Sequence, residues 1–211
     1  MSGPAADRER ALRLIPVSRE TAGLLDRFVE LLATWQKTTN LVAPSALPEI
    51  WTRHVADSLQ LFPLAPGATL WIDLGSGGGF PGIPLACLLA DVEGGHMHLV
   101  ESNQKKAAFL REAARMLGLP VTVHAQRIED FTARFEGHAD AVTARALAPL
   151  KKLIPGAYPL LKTGTKLLFP KGQDIGAELT KAAKYWTIGS EMVPSKTGDG
   201  QILIVTSLAK K

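Results

Sequence analysis

The chain is organised around a glycine-rich stretch in which five of the eight residues from 75 to 82 are glycine. A short apolar run over 70–74 stops abruptly in these glycines, and a second apolar run over 83–90 follows with a different period. That order predicts a strand, a tight loop and the start of a helix. Glycines let a ligand approach the backbone, and a helix N-terminus offers unpaired N–H groups to a carboxylate or a phosphate. The stretch therefore predicts a ligand-binding loop.

Two ligand classes compete for this loop. The spacing G-x-G-x-x-G occurs at Gly77, Gly79 and Gly82, which is typical of dinucleotide binding, but Pro81 interrupts it and its first glycine does not directly follow the strand. An acidic residue and three alternating glycines form a second pattern, Asp73-x-Gly75-x-Gly77-x-Gly79. This pattern resembles the first motif of Rossmann-like S-adenosylmethionine-dependent methyltransferases. Their methyl donor carries ammonium and sulfonium cations and no phosphate, so a nearby carboxylate suits it better than it suits a pyrophosphate.

Strand and helix periods alternate through the rest of the chain, which predicts an α/β fold with a mainly parallel seven-stranded sheet. The predicted strands cover 70–74, 96–101, 121–125, 139–144, 166–169, 186–193 and 202–208. The predicted helices cover 83–90, 103–116, 147–161 and 174–184, with a short connection over 126–135. Gly198-Asp199-Gly200 separates the last two strands, so we expect them to form an antiparallel closing hairpin.

Residues 1–65 predict a helical extension ahead of a methyltransferase-like core over 66–211, the two forming one compact unit. We expect residues 1–17 to be frayed and Ser18 to cap a helix that carries an apolar stripe. A second helix is expected near Pro48. Its polar side is predicted to carry Arg53, Asp57 and Gln60.

Composition limits the classes of protein to consider. No apolar run approaches the roughly 18 residues of a membrane span, and no secretory signal is visible, so we expect a cytoplasmic protein without a membrane partner. The single cysteine, Cys87, excludes an internal disulfide and a zinc–thiolate cluster. The five histidines are scattered along the sequence, and we predict no metal site. The formal charge of +4 is compatible with an anionic partner such as nucleic acid.

Ligands of such sheets bind outside the carboxyl ends of the strands. Glu101 ends the second strand, where a carboxylate can accept both ribose hydroxyls of a nicotinamide cofactor or of S-adenosylmethionine; alternatively it is a surface residue paired with Lys105. Glu129 and Asp130 follow the third strand. They either hold an adenine amino group or stabilise the start of a short helix through its dipole.

Arg145 follows the fourth strand, next to the expected place of a transferred methyl group. The Pro-Pro-aromatic turn of many DNA amino-methyltransferases is absent there, and Cys87 lies in an apolar helix that indicates core packing rather than a nucleophile. An already nucleophilic acceptor such as guanine N7 remains, and it needs positioning but no general base. Arg145 would then donate to the O6/N7 edge or hold a phosphate, unless it forms a structural salt bridge with Asp73.

Charged or titratable side chains on the N-terminal extension and near the strand ends are candidates for contacts with RNA phosphates. They are Arg53, His54, Arg127 and Lys171, with the Lys210-Lys211 tail as a further possibility. For each of them, solvated surface charge is the competing interpretation, and Arg53 with Asp57 has the i,i+4 spacing of a common surface pair.

Longer motifs point to one particular family. These are Asn40-Leu41, Arg53-His54-x-x-Asp57-Ser58-Leu59, the segment Asp73-Leu-Gly-Ser-Gly-Gly-Gly-Phe-Pro-Gly-Ile-Pro84, Glu101-Ser102, Lys105-Lys106-Ala107-x-Phe109-Leu110, Arg127-Ile128-Glu129-Asp130, Arg145-Ala146 and Lys171-Gly172. The combination resembles the small-subunit ribosomal RNA guanine-N7 methyltransferase G family, once called glucose-inhibited division protein B. The resemblance extends from about Phe28 to Leu208.

The resemblance implies a bacterial S-adenosylmethionine-dependent enzyme that methylates N7 of one guanine in 16S rRNA. We expect a monomer that acts on the 16S rRNA or on the 30S subunit. Family positions that bind the donor correspond to Gly75, Phe80, Ile128, Glu129 and Arg145, and Glu101 takes the usual acidic place after the second strand. Gly78 stands where some family members have proline.

Two rival functions remain at this point. An NAD-dependent oxidoreductase is favoured only by the shifted glycine match. A non-catalytic RNA-binding or ribosome assembly factor would keep the cofactor pocket without using it.

Overall fold

The glycine-rich loop joins a strand to a helix in the computed structural model, which describes residues 3–145 and 148–211. The described strands are β1 (Leu70–Leu74), β2 (His96–Val100), β3 (Val121–His124), β4 (Ala141–Thr143), β5 (Lys166–Lys171), β6 (Trp186–Pro194) and β7 (Gln201–Lys210). They form one sheet in the order β3-β2-β1-β4-β5-β7-β6. The first five are parallel, and β7 runs antiparallel to both β5 and β6. The predicted mainly parallel seven-stranded sheet with an antiparallel closing hairpin is confirmed.

The described α-helices are α1 (Pro4–Leu14), α2 (Arg19–Gln36), α3 (Asp57–Leu59), α4 (Gly82–Leu89), α5 (Gln104–Leu117), α6 (Ile128–Arg134), α7 (Leu150–Ala157) and α8 (Ile175–Ala182). Short 3₁₀ turns occupy Pro44–Glu49, Phe62–Leu64 and Tyr158–Leu160, and Trp51–Ala56 forms a π-helical turn. The Ser18 side chain accepts a hydrogen bond from the backbone N–H of Thr21, as expected of an N-cap. Asn103 caps α5 in the same way, and Gly118 ends it with a φ of 64°.

Helices cover both faces of the sheet. Successive residues of β1 point to opposite faces, so Trp71 packs with Phe28 and Phe109 of one core while Ile72 packs with Phe169 of the other. The N-terminal helices belong to the first of these cores, since Ala11, Leu25 and Phe28 are buried in it. The helical extension is therefore continuous with the packing on one side of the sheet.

Three parts of the sequence prediction need correction. The supposedly frayed N-terminus forms α1, because the buried Asp7 carboxylate accepts hydrogen bonds from Thr52 and ties the helix to the chain 45 residues later. The 126–135 connection contains helix α6. The helix expected over 147–161 is described from Leu150, and its expected start at Leu147 lies outside the described residues.

The packing role of Cys87 was also anticipated from the sequence. Cys87 is completely buried, and burial raises the pKa of its thiol to about 12, which leaves it a packing residue. None of the helices described in residues 3–145 and 148–211 combines the length and apolar character that crossing a membrane requires.

Candidate active site

A cavity of about 720 Å³ opens at the carboxyl ends of β1 to β4. One side is the glycine wall, which we define as residues 73–82. The opposite side is the N-terminal wall, defined as residues 41–57. Helices α6 and α7 contribute Ile128, Glu129 and Lys152 to the remaining lining. The cavity size lies within the range of small-molecule sites.

The glycine wall presents bare backbone to the cavity. Gly75 and Gly77 have φ values of 71° and 55°, which other residues rarely adopt. Among the described residues, a methyl group added at Gly77 would have only the Gly75 carbonyl oxygen within 4 Å, at 3.8 Å, so the space beside this backbone is open. A ligand can therefore approach the loop closely.

Glu101 connects this loop to the end of β2. Its Oε2 accepts a hydrogen bond from the Gly77 N–H at 2.8 Å, and its Oε1 accepts one from the Asn103 N–H at 2.7 Å. The residue is 8% exposed and lines the cavity, whereas the alternative was a surface glutamate paired with Lys105. Each carboxylate oxygen keeps a further lone pair for a hydroxyl group of a ligand.

Asp73 and Gly79, both predicted to touch a cofactor, lie behind the loop instead. Asp73 is fully buried and accepts hydrogen bonds from the Thr143 hydroxyl at 3.0 Å and from the Gly82 N–H at 3.2 Å. Burial raises its pKa to about 6. A methyl group at Gly79 would lie 2.9 Å from Ile83 and 3.1 Å from Phe28. Both residues therefore shape the loop and do not line the cavity.

Gly78 faces the other wall. A Cβ at this position would lie 2.8 Å from the carbonyl oxygen of Leu41, so the two walls meet through bare backbone. Gln36 fixes the Leu41 side of that contact, because its Oε1 accepts from the N–H groups of Leu41 and Val42 while its Nε2 donates to the Val42 carbonyl. The glycine at this position is therefore required by packing in this chain.

His54 on the N-terminal wall stacks on Phe80 of the glycine wall, with ring centroids 5.0 Å apart and an interplanar angle of 26°. Both ring nitrogens are buried without a hydrogen-bond partner among the described residues. Burial, together with the charges of Arg145 and Arg53, lowers its pKa to about 3. His54 is neutral as a result, and its predicted role as a phosphate contact is not supported by this geometry.

Arg145 lies between the two walls. Its Nη1 donates to the Arg53 carbonyl at 3.2 Å and lies 3.5 Å from Asp57 Oδ2, and its Cζ is 5.5 Å from the centre of the Phe80 ring. The side chain is 16% exposed, and its Nε is buried without a partner among residues 3–145 and 148–211. Burial lowers the pKa of Arg145, and the carboxylates of Asp57 and Asp73 oppose this shift.

The structure does not form the two ion pairs suggested by the sequence, Arg145 with Asp73 and Arg53 with Asp57. Arg145 pairs with Asp57 rather than with Asp73, whose oxygens face Thr143 and Gly82. Asp57 in turn faces Arg145 rather than Arg53. Local spacing gave no signal for the pair of Arg145 and Asp57, because these residues are 88 positions apart in the chain.

The remaining RNA-binding candidates differ in exposure. Arg53 and Arg127 are exposed at the rim of the cavity. Lys171 is engaged within the protein, since its Nζ donates to the Ala148 carbonyl at 2.9 Å and to Glu178 Oε2 at 3.0 Å. Lys106 and Lys152 also line the cavity. Sequence reasoning did not select them, because lysines on helices usually mark a solvated face.

Three histidines that are scattered in the sequence come together on β2 and β3, away from this cavity. His98 Nδ1 lies 3.0 Å from His124 Nε2, and the rings of His96 and His98 have centroids 4.9 Å apart. Within the part of the chain that the structure describes, no group of three or more histidine, cysteine, aspartate or glutamate side chains is arranged to hold a metal ion.

Comparison with known proteins decides the family. The family model described as rRNA small subunit methyltransferase G matches residues 22–202. This chain belongs to that family. A ribosomal RNA small subunit methyltransferase G of Bradyrhizobium diazoefficiens is 58% identical over 207 residues, covering 98% of this chain and 80% of the relative. A protein of the same name from Rhodopseudomonas palustris strain HaA2 is 60% identical over 201 residues, covering 95% and 84%.

Solved structures share the fold of this methyltransferase G family member. An O-methyltransferase from Bacillus cereus in complex with SAH has a TM-score of 0.64 at 16% identity, covering 96% of this chain and 97% of that chain. A putative O-methyltransferase from Klebsiella pneumoniae has a TM-score of 0.62 at 17% identity, covering 95% and 96%. The predicted Rossmann-like methyltransferase fold is confirmed.

The dinucleotide interpretation of the loop loses its support. In that fingerprint the second glycine lets the backbone approach a pyrophosphate. Here that residue is Gly79, which faces Phe28 and Ile83 in the core. Gly75 and Gly77, two glycines of the methyltransferase pattern, border the cavity instead.

Proposed function

We propose that this protein transfers a methyl group from S-adenosylmethionine to N7 of a guanine in small-subunit ribosomal RNA. The observation that carries the proposal is the cavity between the two walls, where Gly75, Gly77 and Glu101 lie opposite Arg145 in a member of the rRNA small subunit methyltransferase G family. The relatives are named as ribosomal RNA small subunit methyltransferases, which supports this class of substrate.

The residues present fit this methyl donor. Gly77 leaves open space beside its backbone, and the free lone pairs of Glu101 suit the two ribose hydroxyls. Ile128 and Glu129 line the same cavity and would receive the adenine. When bound, the donor supplies a methyl group whose bonding pair leaves with sulfur as the new bond to nitrogen forms.

The protein's own contribution is positioning and electrostatics. Guanine N7 attacks through a ring lone pair, so no proton has to be removed before the reaction. His54 is held neutral and Glu101 is occupied by two backbone N–H groups, which fits a site without a general base. Arg145 and Phe80 hold the place where donor and acceptor meet, and alignment at such short range accelerates a reaction without acid–base chemistry.

The cavity rim suits an RNA substrate. Arg53, Lys106, Arg127 and Lys152 line it and provide cations for phosphates. Side chains do not reach bases in the narrow major groove of A-form RNA, so the target guanine must be unpaired or presented by ribosomal structure. We expect a monomer that acts in the cytoplasm on 16S rRNA or on the 30S subunit.

Two measurements test the proposal. Isothermal titration should show heat with S-adenosylmethionine and none with NAD; the reverse would favour an oxidoreductase. Tritiated methyl transfer to 30S particles should label the rRNA, and Gly75→Asp, which places a charged side chain at the loop, should abolish the labelling. Donor binding without any transfer to rRNA would support a non-catalytic RNA-binding or assembly factor instead.

A further inference from the structure

A second cavity of about 650 Å³ adjoins the first and shares Arg145 and Ala148 with it. It lies beyond the carboxyl ends of β4 and β5, between Asp57 and the loop that joins β6 to β7. We propose that this cavity receives the target base and that Asp57, paired with Arg145, selects guanine over adenine. This inference rests on the proposed function.

The lining suits a flat aromatic base. Pro149, Pro170 and Ile202 contribute apolar surface, whereas Asp57, Arg145 and Thr197 contribute polar groups. A planar base offers two apolar faces and a polar edge, and unpaired RNA bases are bound through both. The shared Arg145 places such a base beside the donor cavity.

Asp57 has a carboxylate oxygen available to accept a hydrogen bond from the polar edge of the base. Its Oδ1 accepts hydrogen bonds from Thr197 Oγ1 at 2.8 Å and from Gln60 Nε2 at 2.8 Å. Its Oδ2 has Arg145 Nη1 at 3.5 Å as its hydrogen-bond neighbour among the described residues. The side chain is 17% exposed, so this oxygen retains capacity for a donor that enters the cavity.

The pairing of Asp57 with Arg145 matches guanine and opposes adenine. Guanine presents the N1–H donor beside the O6 acceptor, so the Asp57 carboxylate accepts from N1–H while the Arg145 guanidinium donates to O6. Adenine presents the reverse order, an acceptor at N1 and an amino donor at position 6, and would face both side chains with the wrong polarity. Donation by Arg145 to O6 also leaves the N7 lone pair free, whereas donation to N7 itself would block the attack.

The second cavity depends on hydrogen bonds between Gln60 and the loop that joins β6 to β7. Gln60 is 3% exposed, and its Oε1 accepts a hydrogen bond from the Lys196 N–H at 2.8 Å. Its Nε2 lies 3.1 Å from Ser195 Oγ. The polar side predicted for the second helix is therefore buried at Gln60. The residue holds the hairpin loop against α3, and this fixes the orientation of Asp57.

The test combines a protein change with a base change. Reconstituted 30S particles would carry either guanine or 2-aminopurine at the target position, the latter lacking both N1–H and O6 but keeping N7. With wild-type protein, kcat/KM should be about 10- to 100-fold lower for 2-aminopurine, the discrimination typical of a good bidentate contact. Asp57→Asn keeps an oxygen for Thr197 and Gln60 but presents an amide donor to N1–H. It should lower kcat/KM for guanine while showing a much smaller preference for guanine over 2-aminopurine.

Asp91→Asn is the matched control, because it makes the same change at an exposed aspartate that lines neither cavity. Its preference for guanine should equal that of the wild type. An Asp57→Asn protein with the wild-type preference, at whatever rate, would overturn the assignment of Asp57 as the base reader. Failure of the wild-type protein to methylate any rRNA would instead remove the proposed function itself.

Discussion

The two walls of the donor cavity are built in different ways. The glycine wall is local, because one strand, one loop and one helix start supply it and Glu101 closes it through backbone N–H groups. The N-terminal wall is held from a distance by the buried side chains of Asp7 and Gln60. Substitutions in the glycine wall should therefore do most damage where an added side chain has least space. Substitutions that affect the N-terminal wall should do most damage where they remove a hydrogen bond between residues far apart in the sequence.

Arg145 touches both walls, so its removal should have the largest effect on activity. Arg145→Ala should lower the rate of methyl transfer by about 100- to 1,000-fold, as loss of a well-placed donor does in other enzymes. The fold should persist, because the residue contacts the cavity rather than either core. Arg115→Ala is the control, since Arg115 is an exposed arginine paired with Glu112, and its rate should be unchanged. A wild-type rate in Arg145→Ala would exclude this residue from the mechanism.

Gly82→Ala tests the local construction of the glycine wall. The added methyl group would lie 2.2 Å from Leu99 Cδ2 and 2.8 Å from Asp73 Oδ2. Overpacking of this kind costs about 1–3 kcal/mol of unfolding free energy, and the displaced loop should also weaken donor binding. Urea denaturation and calorimetry measure the two effects. Gly176→Ala, on the exposed side of α8 with no described atom within 4 Å, should leave donor binding unchanged and should not lower stability, since alanine favours a helix over glycine by about 0.5–1 kcal/mol.

Asp7→Ala tests the remote construction of the N-terminal wall. The change leaves the buried N–H groups of Trp51 and Thr52 without their acceptor, which should cost about 1–3 kcal/mol of stability. KM for the 30S substrate should rise, while the affinity for the donor stays near that of the wild type, because the glycine wall is untouched. Asp26→Ala removes a half-exposed pair with Arg8 and should cost at most about 1 kcal/mol without changing KM. Equal losses of donor and RNA affinity in Asp7→Ala would contradict the separation of the two walls.

The two walls should also contribute with opposite signs to the pH dependence of folding stability. The pKa of Asp73 is raised to about 6, so the folded state binds a proton between pH 6 and 4 that the unfolded state releases, and this group favours folding more as the pH falls. The pKa of His54 is lowered to about 3 from 6.5, so the unfolded state binds a proton that the folded state excludes, and stability is lost as the pH falls below 6.5.

Urea denaturation between pH 7 and 4.5 measures this difference. Asp73→Asn should steepen the acid loss of stability and His54→Gln should reduce it, each by about 1–2 kcal/mol across the range. Changes of the same sign in the two variants would contradict the burial of both side chains in their neutral forms.

The same contrast explains what the sequence could predict. The strands, most helices, the N-cap residues Ser18 and Asn103 and the position of Glu101 follow from local periodicity, from capping chemistry and from the ends of parallel strands. The glycine loop was predictable because the conformations of Gly75 and Gly77 are a local requirement.

The contacts of the N-terminal wall were not predictable in the same way. Asp7 reaches Thr52, Asp57 reaches Arg145, and Gln60 reaches Lys196, and no local pattern encodes any of these pairs. The orientation of Asp73 was missed for a related reason. Its carboxylate faces α4 and β4 because Thr143 and Gly82 satisfy it there, which the spacing of the glycines does not reveal.

Mapping the modified nucleotide tests the central claim most directly. N7-methylguanosine carries a ring charge that makes the RNA strand break there after borohydride reduction and aniline treatment. 30S particles treated with this protein and S-adenosylmethionine should show one new break, at a guanine of the 16S rRNA, and Arg145→Ala should not produce it. Methyl incorporation without a break, or breaks at many unrelated guanines, would contradict transfer to N7 of a single presented base.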